Sequence, residues 1–287
     1  MEDFFQLTIG TVSMRPYVFV FFAAYLFAAV PHLGWKRVAA FTVSGYLTAL
    51  LSEVASINTG FPYGWYYYIE TTSNRELWIA GVPFFDSLSY VFLCYCSYAT
   101  ALFILSPLKT VGKNLHLLET LRIRRSFSAL LLGSLLQVYL DIIIDPIALQ
   151  GEKWFLGRLY GYRETGAHFG VPLSNYFGWW FVSACMIFML QRITVAGGIT
   201  DTKPAGVCCF PGRNLLPVFL YLSIIIFNSA IAFHIEELTI AITGLFIIIL
   251  PAAMVMVLAS QRLNRYSRGE LADHLRDFPW STAGGRQ

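Results

Sequence analysis

Charge is scarce in this sequence. Only 13% of its 287 residues are Asp, Glu, Lys or Arg, while 56% are apolar; a charged fraction about half that of ordinary soluble domains excludes a water-soluble globule. Cysteine is scarce too. Of the five, Cys94, Cys96 and Cys185 fall inside apolar runs and only the Cys208-Cys209 pair falls in a loop. No disulfide framework or zinc pattern is present, and the cysteines read as small apolar side chains. The amino terminus, MEDFFQLTIG, lacks the basic region of a secretory signal, so the first membrane helix is expected to be kept. Twenty basic against seventeen acidic residues leave no excess that would bind nucleic acid, and no internal repeat is visible.

What the chain has instead is long uncharged runs. The mean hydropathy is +0.59, and a run of about twenty apolar residues crosses about 30 Å of hydrocarbon at ~1.5 Å per residue. Seven spans are predicted, at about residues 14–32, 36–54, 83–106, 126–144, 173–192, 214–233 and 238–260. Pro16 and Pro83 mark helix starts, Pro107 and Pro146 mark stops, and Pro251 should kink the last span. Alternating the spans collects fifteen of the twenty basic residues on one side: Lys36, Arg37, the KTVGKNLHLLETLRIRR segment, Arg192, Lys203, Arg213 and the carboxy-terminal tail. Basic loops are retained inside during insertion. The expectation is therefore an all-α, polytopic membrane helix bundle with its amino terminus outside and its carboxy terminus inside, in a bacterial or archaeal cytoplasmic membrane. Residues 1–260 would form one membrane domain and 261–287 a polar, loosely ordered cytoplasmic tail.

Two long outside loops, residues 55–82 and 145–172, are rich in aromatic, glycine and proline residues. Phe61, Tyr63, Trp65, Tyr66, Tyr67 and Tyr68 read either as an interfacial aromatic belt or as the mouth of a pocket for an apolar substrate. Four carboxylates reach the same level. Glu53 closes the second span, Asp86 opens the third, and Asp141 and Asp145 lie near the end of the fourth. A carboxylate in a span costs a few kcal/mol, so it implies a partner, a wet cavity or a function. Asp141 and Asp145 are one helical turn apart on one face. Two such groups, crowded and desolvated, resist double ionisation and titrate as a unit; one is expected to keep its proton and act as a general acid beside an ionised base. The competing reading has Asp145 bonding backbone near Pro146 and Asp141 bonding Gln137, Tyr139 or a neighbouring helix.

Asn175, just inside the fifth span, either orients a water or an acid or makes an ordinary interhelical bond. His168, His234, Glu236 and Glu237 would hold a metal only if several of them met, and no metal is expected. Lys153, Arg158 and Arg163 read as solvated loop charges or as contacts to an anionic headgroup.

At the outside segments the chain resembles a family of carotenoid biosynthesis membrane proteins that includes carotenoid hydratases of the bisanhydrobacterioruberin and gamma-carotene type. The resemblance lies in SEVASINTGFPYGWYYY (52–68), GVP (81–83), DIIIDP (141–146) with Gly151 and Trp154, and FGVPLSNYFGWW (169–180). It implies a cofactor-independent lyase adding water across the terminal double bond of a linear carotenoid or related polyisoprenoid drawn from the bilayer. Asp141 or Asp145 would then protonate the alkene, and an ionised neighbour such as Glu53 would activate water. Rings of Phe61, Tyr63, Trp65 and Trp179 would stabilise the tertiary cation, and Thr59, Tyr68, Trp154 and Asn175 would complete a substrate pocket opening sideways to lipid. The chain departs from the family after GVP, where an apolar stretch ending in Trp is replaced by FFDSLSY. Asp86 is thereby added to the site, leaving open a more polar substrate, a different proton path or the loss of hydratase activity. Two other readings compete: a prenyl-diphosphate transferase with magnesium on Asp141 and Asp145 and phosphates on Arg158 and Arg163, and a non-enzymatic carrier or scaffold for an apolar lipid.

Overall fold

A computed structural model describes residues 2–194 and 212–284; Lys203 and the Cys208-Cys209 pair lie outside the described residues. The helices are α1 (Glu2–Met14), α2 (Pro16–Leu33), α3 (Trp35–Thr59), α4 (Phe84–Leu105), α5 (Leu121–Arg124), α6 (Phe127–Ala148), α7 (Leu173–Ile193), α8 (Leu216–His234), α9 (Leu238–Arg262) and α10 (Arg268–Asp277). Seven segments, corresponding to α2, α3, α4, α6, α7, α8 and α9, are long and apolar enough to cross a membrane. The expected all-α bundle is the one observed.

α4 is its axis. It is buried almost continuously from Phe85 to Leu102 and packs on α2, α3, α6 and α8. Its closest neighbour approaches through a glycine: a Cβ added at Gly133 on α6 would lie 3.2 Å from the Tyr98 backbone of α4. Small residues at such crossings give dispersion contact, the main attraction available between helices in lipid. α9 lies at the rim with only Ile240 and Ala241 buried, as a lipid-facing helix can.

Of the three prolines inside spans, Pro31 lies in the last turn of α2, while Pro146 and Pro251 are repaired in the same way. Pro146 was expected to end the fourth span, but α6 continues to Ala148. Proline at 146 frees the carbonyl of Ile142, and His168 Nε2 donates to that oxygen at 3.2 Å. Pro251 likewise frees the carbonyl of Ile247, which accepts the Tyr139 hydroxyl, and α9 runs through it.

Short strands organise the segments between spans. β1 (Tyr66–Tyr68) pairs antiparallel with β6 (Tyr160–Tyr162), tying the two aromatic loops together. β2 (Trp78–Ile79) and β3 (Val82–Pro83) form a tight turn through Ala80 and Gly81, both at positive φ, and β4 (Leu108–Val111) pairs with β5 (Asn114–Leu117) at the other end. α1, which sequence reading did not anticipate, packs beside the first aromatic loop: Thr11 Oγ1 accepts from Leu77 N at 2.8 Å. Arg15, fully buried where α1 meets α2, holds both oxygens of Glu76 at 3.1 Å and the carbonyl of Leu156 at 2.5 Å.

The tail is not loose. A capping box of Ser267 and Glu270 starts α10. His274 Nδ1 donates to the Glu119 carbonyl at 2.7 Å, and Asp277 accepts from Leu121 N at 2.9 Å, which docks the helix on the bundle.

Candidate functional site

The site starts from helical spacing. Gln137, Asp141 and Asp145 recur every four residues, so one face of α6 carries all three, and all are buried. Pro172 places Asn175 in the first turn of α7, opposite that face. The Asn175 amide nitrogen donates to Asp141 Oδ2 and to Asp145 Oδ2, each at 2.8 Å. One amide group therefore bridges two carboxyl groups. Asp145 accepts two more bonds, from the hydroxyls of Tyr160 at 2.6 Å and Tyr162 at 2.5 Å. Asp141 Oδ1, by contrast, has no partner among the described residues, nor has either amide atom of Gln137.

Glu53 and Asp86 form the second half of the site, from the end of α3 and the start of α4. Glu53 accepts from Ser87 Oγ at 2.9 Å, and Asp86 accepts the Tyr68 hydroxyl. Asp86 lies within electrostatic reach of both Glu53 and Asp145, which makes the four acids one cluster. None of the four forms an ion pair among the described residues. Arg15, held over the Phe85 ring at 4.7 Å, is already committed to Glu76.

The β1–β6 pairing lays a roof of tyrosines on the cluster. The Tyr66 ring meets those of Tyr68, Tyr160 and Tyr162 edge-on at 5.4 to 6.4 Å. Burial first, and then the Asp145 carboxylate, pushes the phenols of Tyr160 and Tyr162 well above their ordinary value; burial and Asp86 do the same for Tyr68. These hydroxyls are therefore fixed donors to carboxylate oxygens. Tyr160 and Tyr162 were missed from the sequence. The available signal was the Y-G-Y alternation, which matches Y-Y-Y at 66–68 in period.

A family model for carotenoid biosynthesis proteins matches residues 14–251. The chain belongs to that family. No curated protein and no solved structure matches it. A role in carotenoid biosynthesis from a multi-pass position in a membrane follows from the family and the seven apolar helices together.

This carotenoid biosynthesis protein brings some of its sequence-predicted residues together and leaves others apart. Glu53, Asp86, Asp141, Asp145, Asn175 and Tyr68 converge as described. Tyr63 is buried beside them, its hydroxyl 2.9 Å from Ser52 Oγ. Trp179 stacks on Tyr90 at 4.2 Å, and a Cβ at Gly178 would meet the Tyr63 backbone at 2.7 Å, so a glycine lets the first loop dock on α7. The rest lie outside the cluster. Phe61, 55% exposed, packs on Phe181. Trp65 carries Arg163 over its ring at 4.8 Å. Trp154 donates to the Ile147 carbonyl at 3.2 Å and packs on Tyr17 and Phe155. Thr59 is exposed and bonds only backbone, with Ala55 and Phe61. Asp145 does not bond backbone near Pro146 and Asp141 bonds neither Gln137 nor Tyr139, but Asp141 does bond a neighbouring helix, as the competing reading allowed, through Asn175 of α7. Glu53, Asp141 and Asp145 are buried, whereas Asp86 and the roof tyrosines Tyr68, Tyr160 and Tyr162 are half-buried. Among the described residues no three His, Cys, Asp or Glu side chains are placed to hold a metal ion.

Proposed function

We propose that this protein is a membrane-embedded hydratase that adds water to a terminal double bond of a linear carotenoid or related polyisoprenoid. The observation that carries the reading is the Asn175 amide shared by Asp141 and Asp145, neither of which forms an ion pair among the described residues. Two carboxyl groups held on one donor in a low-dielectric site keep one proton between them. That proton passes to the less substituted alkene carbon, and the positive charge develops on the tertiary carbon. Asp141 is the better donor, because Asp145 is fixed as an acceptor by two tyrosines and Asn175. The rings of Tyr63, Tyr90 and Trp179 face the cation, each worth about 0.5 to 2 kcal/mol. Phe61 and Trp65, at the rim, serve entry instead.

Water attacks the cation, and its proton goes to an ionised neighbour, a role we give to Glu53. The unpartnered Gln137 amide and Asp141 Oδ1 supply both a donor and an acceptor for that water. Substrate enters past the tyrosine roof, where Tyr68, Tyr160, Tyr162 and Asp86 are half-buried. We assign the carboxylate end to the outside face, because the basic residues gather at the other end, with residues 1–260 as the membrane domain of a bacterial or archaeal cytoplasmic membrane protein.

The transferase reading is weaker on this geometry, since Asp141 and Asp145 turn to an amide and two phenols, Arg163 lies over Trp65 and Arg158 is exposed. Expression in a lycopene-making host tests the proposal. A hydroxylated carotenoid in the pigment extract is expected; folded, inserted protein without such a product would overturn the hydratase reading in favour of a carrier or another substrate.

A further inference from the structure

The face of α6 that carries Asp145 and Asp141 continues to Gln137 at mid-helix, and there its hydrogen bonding is left open. Gln137 and Asp141 are both fully buried. Asp141 Oδ2 accepts the Asn175 amide at 2.8 Å, but Asp141 Oδ1 and both the nitrogen and the oxygen of the Gln137 amide have no partner among the described residues. Buried polar atoms in that condition are costly, and native proteins meet them with ordered water or a ligand. Four residues of helix rise about 6 Å, close to the ~5.6 Å that two hydrogen bonds of ~2.8 Å span through a single water oxygen.

Below Gln137 the polar groups are spent. Ser134 returns its hydroxyl to the Leu131 carbonyl at 3.0 Å, and Ser183 of α7 gives its own to the Trp180 and Ser134 carbonyls at 3.0 and 3.4 Å. At Gly133 an added Cβ would lie 2.9 Å from Ile187 Cδ1 and 3.2 Å from Tyr98 Cα, so α4, α6 and α7 are in close contact there. Gln137 is therefore the floor of the carboxylate site, with an amide to spare. Above it, Tyr63 and Tyr90 lie within electrostatic reach of Asp141, and Trp179 stacks on Tyr90 at 4.2 Å. These are the rings given to the cation, so a water held between Asp141 and Gln137 stands on the side of the site where the cation forms.

We propose that Gln137 decides the fate of the cation: hydration where its amide holds the attacking water against Asp141, loss of a proton where that amide is missing. The inference rests on the hydratase reading and deepens it. Transfer of the Asp141 proton breaks the alkene π bond, forms a C–H bond at the less substituted carbon and leaves the positive charge on the tertiary carbon. Capture by the held water forms the C–O bond, and the proton that the oxygen sheds goes to Glu53, giving the tertiary alcohol. Without a positioned water the cation returns a proton from an adjacent carbon to a carboxylate, and an alkene forms again with no change in composition. An amide suits this post because it donates to the water oxygen and accepts a water hydrogen, yet carries no charge with which to strip a proton from the cation.

The test is turnover of lycopene by the purified full chain in detergent made up in heavy water, with the alcohol and the recovered alkene separated and their carbon-bound deuterium counted by mass spectrometry. Wild type should give chiefly alcohol, with one carbon-bound deuterium for each hydroxyl group. In Gln137→Met, which keeps the volume and removes the amide, the ratio of alcohol to deuterated alkene should fall about tenfold or more while deuterium still enters carbon, and the melting temperature should match wild type because no protein partner is lost. Gln137→Asn, which keeps a shorter amide, should recover part of the ratio. If the Met variant does not fold, Gln137→Leu is read in the same way. An unchanged ratio in the folded, amide-free variant, or a parallel loss of alcohol and deuterated alkene, would overturn the inference and leave the hydratase reading in place. Folded wild type that forms neither alcohol nor deuterated alkene would overturn both.

Discussion

The two ends of the bundle bury acids in opposite ways. At the basic end Glu119 is met by the Arg124 guanidinium and by His32, so its charge is cancelled within hydrogen-bond distance. At the other end Glu53, Asp86, Asp141 and Asp145 are met by a serine, an asparagine and three tyrosines, all neutral donors. Both arrangements give each acid hydrogen-bond donors, though Asp141 Oδ1 is left without one among the described residues, and only the first neutralises charge. A matched ion pair fixes its protons and holds structure, whereas a crowd of acids on neutral donors leaves protonation as the variable that relieves repulsion. Arg15 sharpens the contrast, because the cation nearest the cluster is given to Glu76 and not to any of the four.

Substitutions at the two ends should therefore fail differently. Asp141→Asn and Asp145→Asn should each lower turnover by about 10² to 10⁴, the range for a general acid or base, with little change in melting temperature; product yield from purified protein measures this, and full activity in both variants would end the acid–base proposal. Glu119→Gln should act on stability instead, costing about 3 kcal/mol because Arg124 is left buried and unmatched, as read by thermal unfolding in detergent. Its pH dependence has a definite sign. The folded value of Glu119 is depressed, so its contribution is present above the ordinary glutamate value of about 4.3 and is lost as pH falls below it; the acid limb of the stability curve should flatten in Glu119→Gln.

Smaller effects refine the carboxylate end. Gly178→Ala should destabilise by about 1 to 3 kcal/mol, since its methyl would press on the Pro62–Tyr63 backbone; a melting temperature equal to wild type would show that this loop is not docked on α7. Tyr160→Phe and Tyr162→Phe each remove one bond to Asp145, and each should cost turnover about tenfold, while Phe61→Ala at the rim should leave it within a factor of about two.

Much of the bundle was legible in the sequence because spanning length and hydropathy are local properties. The i, i+4 spacing of Asp141 and Asp145 was legible for the same reason, and Asn175 lies in the FGVPLSNYFGWW segment. Features that depend on distant partners were not. α6 passes through Pro146 only because His168, in the next loop, takes the freed carbonyl. The tyrosine roof depends on pairing residues 66–68 with 160–162, and neither segment announces its partner. α1, at 13 residues, is too short to register as a span. The Ser267–Glu270 capping box was readable in principle; the polarity of the tail hid a helix that docks by one face.

Infrared spectroscopy counts the proton that Asp141 and Asp145 are proposed to share. Wild-type protein at neutral pH should show the carbonyl stretch of a protonated carboxylic acid, and that band should disappear in Asp141→Asn. A spectrum with every carboxyl group ionised, or a protonated band unchanged by substituting either Asp141 or Asp145, would contradict the account.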